Sequence, residues 1–214
     1  MRNIVQYSLP RTGSTLICRV LDSLFPEELE NLAQHPPLHY NSRDALIVSS
    51  CRYPLDVLVS YASVHHCEQG YELGGIDEDL LAHHAKRIKT LYQWYFKDLD
   101  HHRGHILQIK YEKFWNNYDY IFDNLETFFS IEIDDNKRHD ITQECGIENS
   151  RKIQAELVGE EGTEDFGCVD QKTSLHGNHI FAPEPFGYKK VLTRTQTASM
   201  KMFLKDAIKE WEKI

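Results

Sequence analysis

No run of apolar residues in this 214-residue chain approaches the ~18 needed to cross a bilayer, so a membrane-spanning helix is not expected. The N-terminal stretch Met-Arg-Asn-Ile-Val-Gln-Tyr enters a strand pattern at once and has no secretory h-region, which points to a cytoplasmic protein. Positive charge is in deficit: 24 Lys and Arg stand against 33 Asp and Glu, a formal net charge of −9. Long nucleic acid is therefore an unexpected partner, although a locally positive pocket can still take a small anion. Cysteines are few and odd in number, five at positions 18, 51, 67, 145 and 168, with no Cys-x-x-Cys. That pattern argues for reduced thiols in a cytosolic compartment rather than a disulfide framework. The histidine pairs at 65/66, 83/84 and 101/102 are adjacent in sequence, so a pair on a helix diverges, and no metal site is expected. Repeats and low-complexity tracts are absent. With 41% hydrophobic and 27% charged residues, residues 1–214 read as a single globular domain with a sizeable core.

What is present alternates strands with helices. Residues 3–8 read as a strand, followed by a helix from Ser14 to Leu24 with Leu16, Ile17, Val20, Leu21 and Leu24 on one face. Glu27–Leu32 reads as a short helical stretch. Residues 45–51 form a mostly apolar run, as expected of a strand buried on both faces of a parallel sheet. Pro54 then opens a helix at its first turn, with Val57, Leu58, Tyr61 and Ala62 as its apolar set. Residues 69–77 are a Gly-rich loop, and Asp79 to Leu99 forms a long helix. His105–Lys110 is a third strand, followed by one helix through Phe114, Tyr118, Ile121, Phe122, Leu125 and Phe128. One helical stretch is expected near 136–157, an acidic loop over 159–165, and one amphipathic helix over Thr193–Trp211. Such an order gives an α/β, three-layer fold around a mainly parallel sheet.

Two segments carry chemistry. Leu9-Pro10-Arg11-Thr12-Gly13-Ser14-Thr15 joins the first strand to the first helix. A short loop feeding a helix N-terminus is an anion site, because backbone N–H groups and the helix dipole converge there. Arg11, Thr12, Ser14 and Thr15 add side-chain donors. The triphosphate loop G-x-x-x-x-G-K-[ST] is not matched, since Ser14 follows Gly13 where lysine would stand and Ser8 occupies the position of the first glycine. In the second segment, Cys51 to Ser60, Arg52 leaves a strand end and Ser60 lies inside the next helix. Two anion sites on neighbouring strand ends point to a ligand phosphorylated at two places.

These residues carry a resemblance. Leu9 to Leu16 is similar to the 5′-phosphosulfate loop of the PAPS-dependent sulfotransferases, and Arg52-Tyr53-Pro54-Leu55-Asp56-Val57-Leu58-Val59-Ser60 is similar to their Arg-x-Pro-x-Asp-x-x-x-Ser 3′-phosphate motif. Ile106 to Glu112 resembles the strand that ends in Tyr-Glu-Asp in that family, with Phe128-Phe129-Ser130 in place of its Phe-Leu-Gly. Phe186 to Thr193 resembles the family's Gly-Asp-Trp-Lys-x-x-x-Thr stretch. The resemblance implies a P-loop NTPase-like sulfotransferase architecture and transfer of a sulfuryl group from PAPS to an acceptor hydroxyl or amine, releasing PAP, with no metal. It implies that Arg11, Thr12, Gly13, Ser14, Thr15 and Leu16 bind the 5′-phosphosulfate, Arg52 and Ser60 the 3′-phosphate, and Tyr111 the region of the adenine. Arg11 replaces the family's usual lysine and, being unable to deprotonate, acts as a fixed electrostatic clamp. The basic loop Arg-Lys-Gly that closes the 3′-phosphate site is absent, with Lys172, Ser174 or His179 as replacements.

The acceptor needs a base. His35 is the expected one, in His35-Pro36-Pro37-Leu38, because imidazole titrates near neutrality. His39, Glu27, Glu28 and Glu30 are the alternatives. About two dozen residues separate Arg11 from His35, short beside the steroid- and phenol-sulfating enzymes, so an open site suited to a larger or more polar acceptor is expected, a small molecule, a glycan or a peptide. A nucleoside or small-molecule kinase and a non-catalytic nucleotide-binding protein are the rival readings.

Overall fold

The strands run side by side and parallel in the order β1 (Ile4–Gln6), β2 (Leu46–Cys51), β3 (Ile106–Lys110). Val5 lies opposite Ile47, and Ile47 opposite Ile106. The computed structural model describes residues 3–27, 45–68, 76–101, 105–157 and 184–214. Along those stretches the helices are α1 (Ser14–Leu24), α2 (Pro54–Glu68), α3 (Glu78–His101), α4 (Tyr111–Phe114), α5 (Tyr118–Phe129), α6 (Asp135–Cys145), α7 (Ile147–Leu157), α8 (Tyr188–Val191), α9 (Arg194–Phe203) and α10 (Lys205–Glu212).

Successive strand residues face opposite sides, and this alternation creates two cores. Val5, Tyr7, Ile47 and Cys51 pack with α2, α3, α8 and α10. Ile4, Val48 and Ile109 pack with α1, α4, α5 and α6. The result is the three-layer α/β arrangement expected from the sequence. No helix among the described residues is long and apolar enough to cross a membrane.

Helix α1 has the bounds its periodicity predicts, and Ile17, Val20 and Leu21 are its buried stripe. Helix α2 behaves otherwise. Besides Val57, Leu58 and Ala62, the polar Asp56, Ser60 and Ser63 are buried. Over residues 54–63 the helix has almost no solvent face for a periodic pattern to reveal.

Three expected single helices are pairs. Tyr111 to Phe128 is interrupted between α4 and α5, where Asn116 takes a left-handed φ of 54° and Asn117 caps α5 by accepting from Tyr120 N. The stretch near 136–157 divides at Gly146, whose extended backbone (φ −57°, ψ 154°) ends α6. The C-terminal helix over Thr193–Trp211 divides at Leu204, which is buried between α9 and α10. Thr193 starts α9 with a full capping box, accepting from Gln196 N while the Gln196 side chain accepts from Thr193 N. The breaks leave the apolar spacing of the sequence in place, so periodicity alone does not reveal them. Ser130, where the resemblance places glycine, closes α5 in the left-handed conformation (φ 55°) that glycine favours. Arg138 joins α6 to α5 through Asp123 and Glu126, each at 2.9 Å.

Candidate active site

In a parallel sheet all strands end at one edge, and ligands bind in the crevice there. All three strands of this sheet deliver a functional segment to that edge: β1 leads into the Arg11 loop, β2 into Arg52, and β3 into Tyr111.

The Arg11 loop is fixed by hydroxyl contacts to β2. Thr12 Oγ1 lies 2.5 Å from the Leu9 carbonyl and 3.1 Å from both the Ser50 carbonyl and Ser50 Oγ. Ser50 N and Oγ both donate to Ser8 Oγ, at 2.7 and 3.0 Å. This internal chain holds two residues in the left-handed region, Arg11 (φ 67°) and Gly13 (φ 81°). A non-glycine residue there is strained by about 1–3 kcal/mol, tolerable only where the surroundings over-determine it. Thr12 is fully buried, and its hydroxyl serves the loop itself rather than the pocket. Gly13 is the N-cap residue of α1 and provides no side-chain cap, so the first-turn N–H groups of α1 meet the pocket without one.

Arg52 is set just before α2 and is 3% exposed. Its Nε lies 3.9 Å from Asp56 Oδ2, its Nη2 donates to the Glu184 carbonyl at 3.2 Å, and its guanidinium carbon sits 4.4 Å from the centre of the Tyr111 ring. Tyr92 donates its hydroxyl to the Arg52 carbonyl. Asp56 accepts from Phe186 N at 2.6 Å and Tyr188 N at 3.0 Å, tying the C-terminal turn to the start of α2. Burial pushes the Asp56 carboxyl above its ordinary range, and the Arg52 charge and these two N–H donors pull it back. Glu112, also raised by burial, accepts from Tyr53 N at 2.6 Å and clips the end of β3 to the end of β2.

The two anion motifs meet. Arg11 Nε donates to Ser60 Oγ at 3.0 Å across 49 residues of sequence. Arg11, Gly13, Ser14, Thr15, Leu16, Arg52, Ser60 and Tyr111 all line one pocket. A second group lines it that the sequence reading did not single out: Arg19, Phe114, Trp115, Asn116, Tyr118, Cys145, Ile147 and Ser150. Arg19 is one helical turn beyond Thr15, a spacing that puts both on one face of α1. Arg19 donates to Ser150 Oγ at 3.0 Å and to the Glu144 carbonyl at 2.5 Å, spanning the junction of α6 and α7. Among the described residues that line this pocket there are three arginines and no carboxylate, which makes it positive on a chain of net charge −9. A pocket of that charge favours anionic over cationic ligands.

His35, His39, Glu28, Glu30 and Lys172 lie outside the described residues, as do Ser174, His179, most of the 69–77 loop and the 159–165 segment. Glu27 is exposed beyond the end of α1 and is not among the pocket residues. Cys145 is buried, which pushes its thiol up to about 11 against the opposing pull of Arg19. At neutral pH its alkylation by iodoacetamide is expected to be at least about a hundredfold slower in the folded protein than in denaturant. Peptide mass spectrometry checks this, and equal rates would contradict the buried placement.

No family model matches the sequence, and no curated protein matches it. Solved structures do match. Mouse sulfotransferase SULT7A1 complexed with PAP superposes with a TM-score of 0.62 at 12% identity, covering 97% of this chain and 84% of that one. Retinol dehydratase in complex with androsterone and inactive cofactor PAP superposes with a TM-score of 0.67 at 11% identity, covering 98% and 82%. At such identities the likeness establishes the fold alone. This chain has the sulfotransferase fold.

Proposed function

We propose that this protein is a sulfotransferase that takes PAPS as donor, passes its sulfuryl group to a hydroxyl or amine and releases PAP. The observation that carries this reading is the contact of Arg11 with Ser60 at 3.0 Å inside a pocket that also holds Arg52. Two anion motifs distant in sequence thereby become one site for a doubly phosphorylated nucleotide. The two PAP-bound structures of the same fold support it.

The residues present suit such a ligand. Arg52 and Ser60 bind the 3′-phosphate; a hydroxyl has one donor and two acceptor positions, so Ser60 can accept from Arg11 and still donate to a phosphate oxygen. The first-turn N–H groups of α1, with Ser14 and Thr15, bind the 5′-phosphosulfate. In the transfer, the acceptor oxygen or nitrogen forms its bond to sulfur as the bond from sulfur to the 5′-phosphate oxygen breaks, leaving negative charge on that oxygen. Arg11 stabilises this charge, which is larger in the transition state than in the ground state. As an arginine it holds its proton throughout. The acceptor proton passes to His35, or to His39 in its place.

Calorimetric titration with PAP, with adenosine 5′-phosphosulfate and with ATP plus Mg²⁺ tests the site. Micromolar binding of PAP and weaker binding of the ligand without a 3′-phosphate are expected. A preference for ATP with Mg²⁺ would favour a kinase and overturn the proposal. PAP binding without label transfer from radioactive PAPS across hydroxyl and amine acceptors would leave a nucleotide-binding protein.

A further inference from the structure

The third strand end contributes more than a pocket wall. Tyr111, Phe114 and Trp115 occupy one turn after β3. Tyr111 and Trp115 stack at 5.7 Å with 30° between planes, while Tyr111 and Phe114 meet edge to face at 5.1 Å. This aromatic wedge touches both anion motifs. A Cβ built on Gly13 would lie 2.8 Å from Phe114 Cζ and 3.1 Å from Tyr111 Cδ2, so the wedge stands directly against the first loop. On the side of the second motif, the Arg52 guanidinium lies over the Tyr111 ring at 4.4 Å.

We infer that Tyr111 is a positioning residue, whose ring aims the Arg52 guanidinium at the 3′-phosphate and so sets the preference of the site for a nucleotide phosphorylated there. The inference rests on the nucleotide reading above. Arg52 is held from three sides: by Asp56 at 3.9 Å, by the Glu184 carbonyl at 3.2 Å and by the Tyr111 ring. The first two contacts are a long ion pair and a single hydrogen bond, each to one edge nitrogen of the guanidinium. A ring face against the guanidinium gives it a flat surface to stack on and attracts the cation through its quadrupole, most strongly where water is excluded. Tyr111 and Arg52 are 7% and 3% exposed, so water is largely excluded here. The role assigned here belongs to the ring face that meets Arg52.

Affinities for PAP and for AMP, which lacks the 3′-phosphate, separate this role from others. Tyr111→Phe is expected to keep the PAP-to-AMP affinity ratio of the unsubstituted protein. Tyr111→Leu is expected to lower the PAP-to-AMP affinity ratio roughly tenfold or more. Combined with Arg52→Ala it should add little further loss of PAP affinity, since both act on one contact. Because the leucine variant removes core volume, a second series keeps the shape: 4-fluoro- and 3,4,5-trifluorophenylalanine at position 111 withdraw charge from the ring face. A stepwise fall in the PAP-to-AMP affinity ratio is the expected result. Equal losses for PAP and AMP, additivity with Arg52→Ala, or indifference to fluorination would each overturn the inference. If the unsubstituted protein binds neither nucleotide, it is the nucleotide reading itself that fails, and this distinguishes the two.

Discussion

Arg52→Ala is expected to weaken PAP binding by about a hundredfold and to change AMP binding by less than about threefold. Charge-assisted hydrogen bonds to phosphate are worth roughly twice neutral ones, and the guanidinium fork provides more than one. Its setting amplifies the effect, since Arg52 is 3% exposed and already aimed by Asp56, Glu184 and Tyr111. The same substitution has a second, separable consequence. Asp56 stands above its ordinary range through burial, and Arg52 is the largest influence lowering it. Removing Arg52 therefore raises Asp56 further. A folded acid that holds its proton more tightly than the unfolded chain loses stability as pH rises from the unfolded value towards the folded one. The melting-temperature deficit of the variant should be small near pH 5 and larger near pH 8. Arg52→Lys, which keeps the charge without the fork, should recover much of the stability and only part of the PAP affinity. A deficit that grows on acidification, or a full rescue of binding by lysine, would contradict this account.

Gly13→Ala is expected to destabilise the fold by about 2–4 kcal/mol, the sum of about 1 for a left-handed alanine and about 1–3 for overpacking. Both causes are visible: the backbone sits at φ 81°, and the new methyl group would lie 2.8 Å from Phe114 Cζ. Phe114 is 1% exposed and locked against Tyr111, so it has little room to withdraw. A fall in melting temperature of the order of 10 °C is expected by calorimetry. Gly13→Ala with Phe114→Leu should be less destabilised than the two single variants summed, because the smaller side chain makes space for the methyl group. Strict additivity would show that the backbone angle alone carries the cost.

The strand ends and the loop were legible because local rules place them. A buried apolar run, then Arg52 and Pro54, marks where β2 stops and α2 begins. The single glycine before Ser14 marks the start of α1, and Arg11, Gly13 to Leu16, Arg52, Ser60 and Tyr111 do share one pocket. The rest of the pocket was illegible for a definite reason. Cys145, Ile147 and Ser150 reach it because the chain breaks at Gly146, and a break that preserves the apolar rhythm leaves no trace in periodicity. Trp115 escaped notice in the same way, being read as part of one helix rather than as the turn after α4. Thr12 shows the opposite case. Its type and place marked it as a ligand donor, but its hydroxyl is engaged with Leu9 and Ser50.

By itself the sequence determined the α/β alternation, the bounds of α1, and the residue types at two anion motifs. These follow from interactions within a few residues: propensity, helical spacing, and the preference of proline and glycine for particular backbone angles. Only the tertiary structure decided that Arg11 touches Ser60, that Asp56 grips the turn at Phe186 and Tyr188, and that Tyr111 lies under Arg52. The first and last of those contacts join segments that the parallel sheet brings to one edge, and the second packs the turn before α8 onto the start of α2. Their separation in sequence, 49 residues for the first and 130 for Asp56 with Phe186, is invisible to any local rule. Strand register and layer packing fix them, because a strand shifted by one residue would turn every side chain to the opposite face.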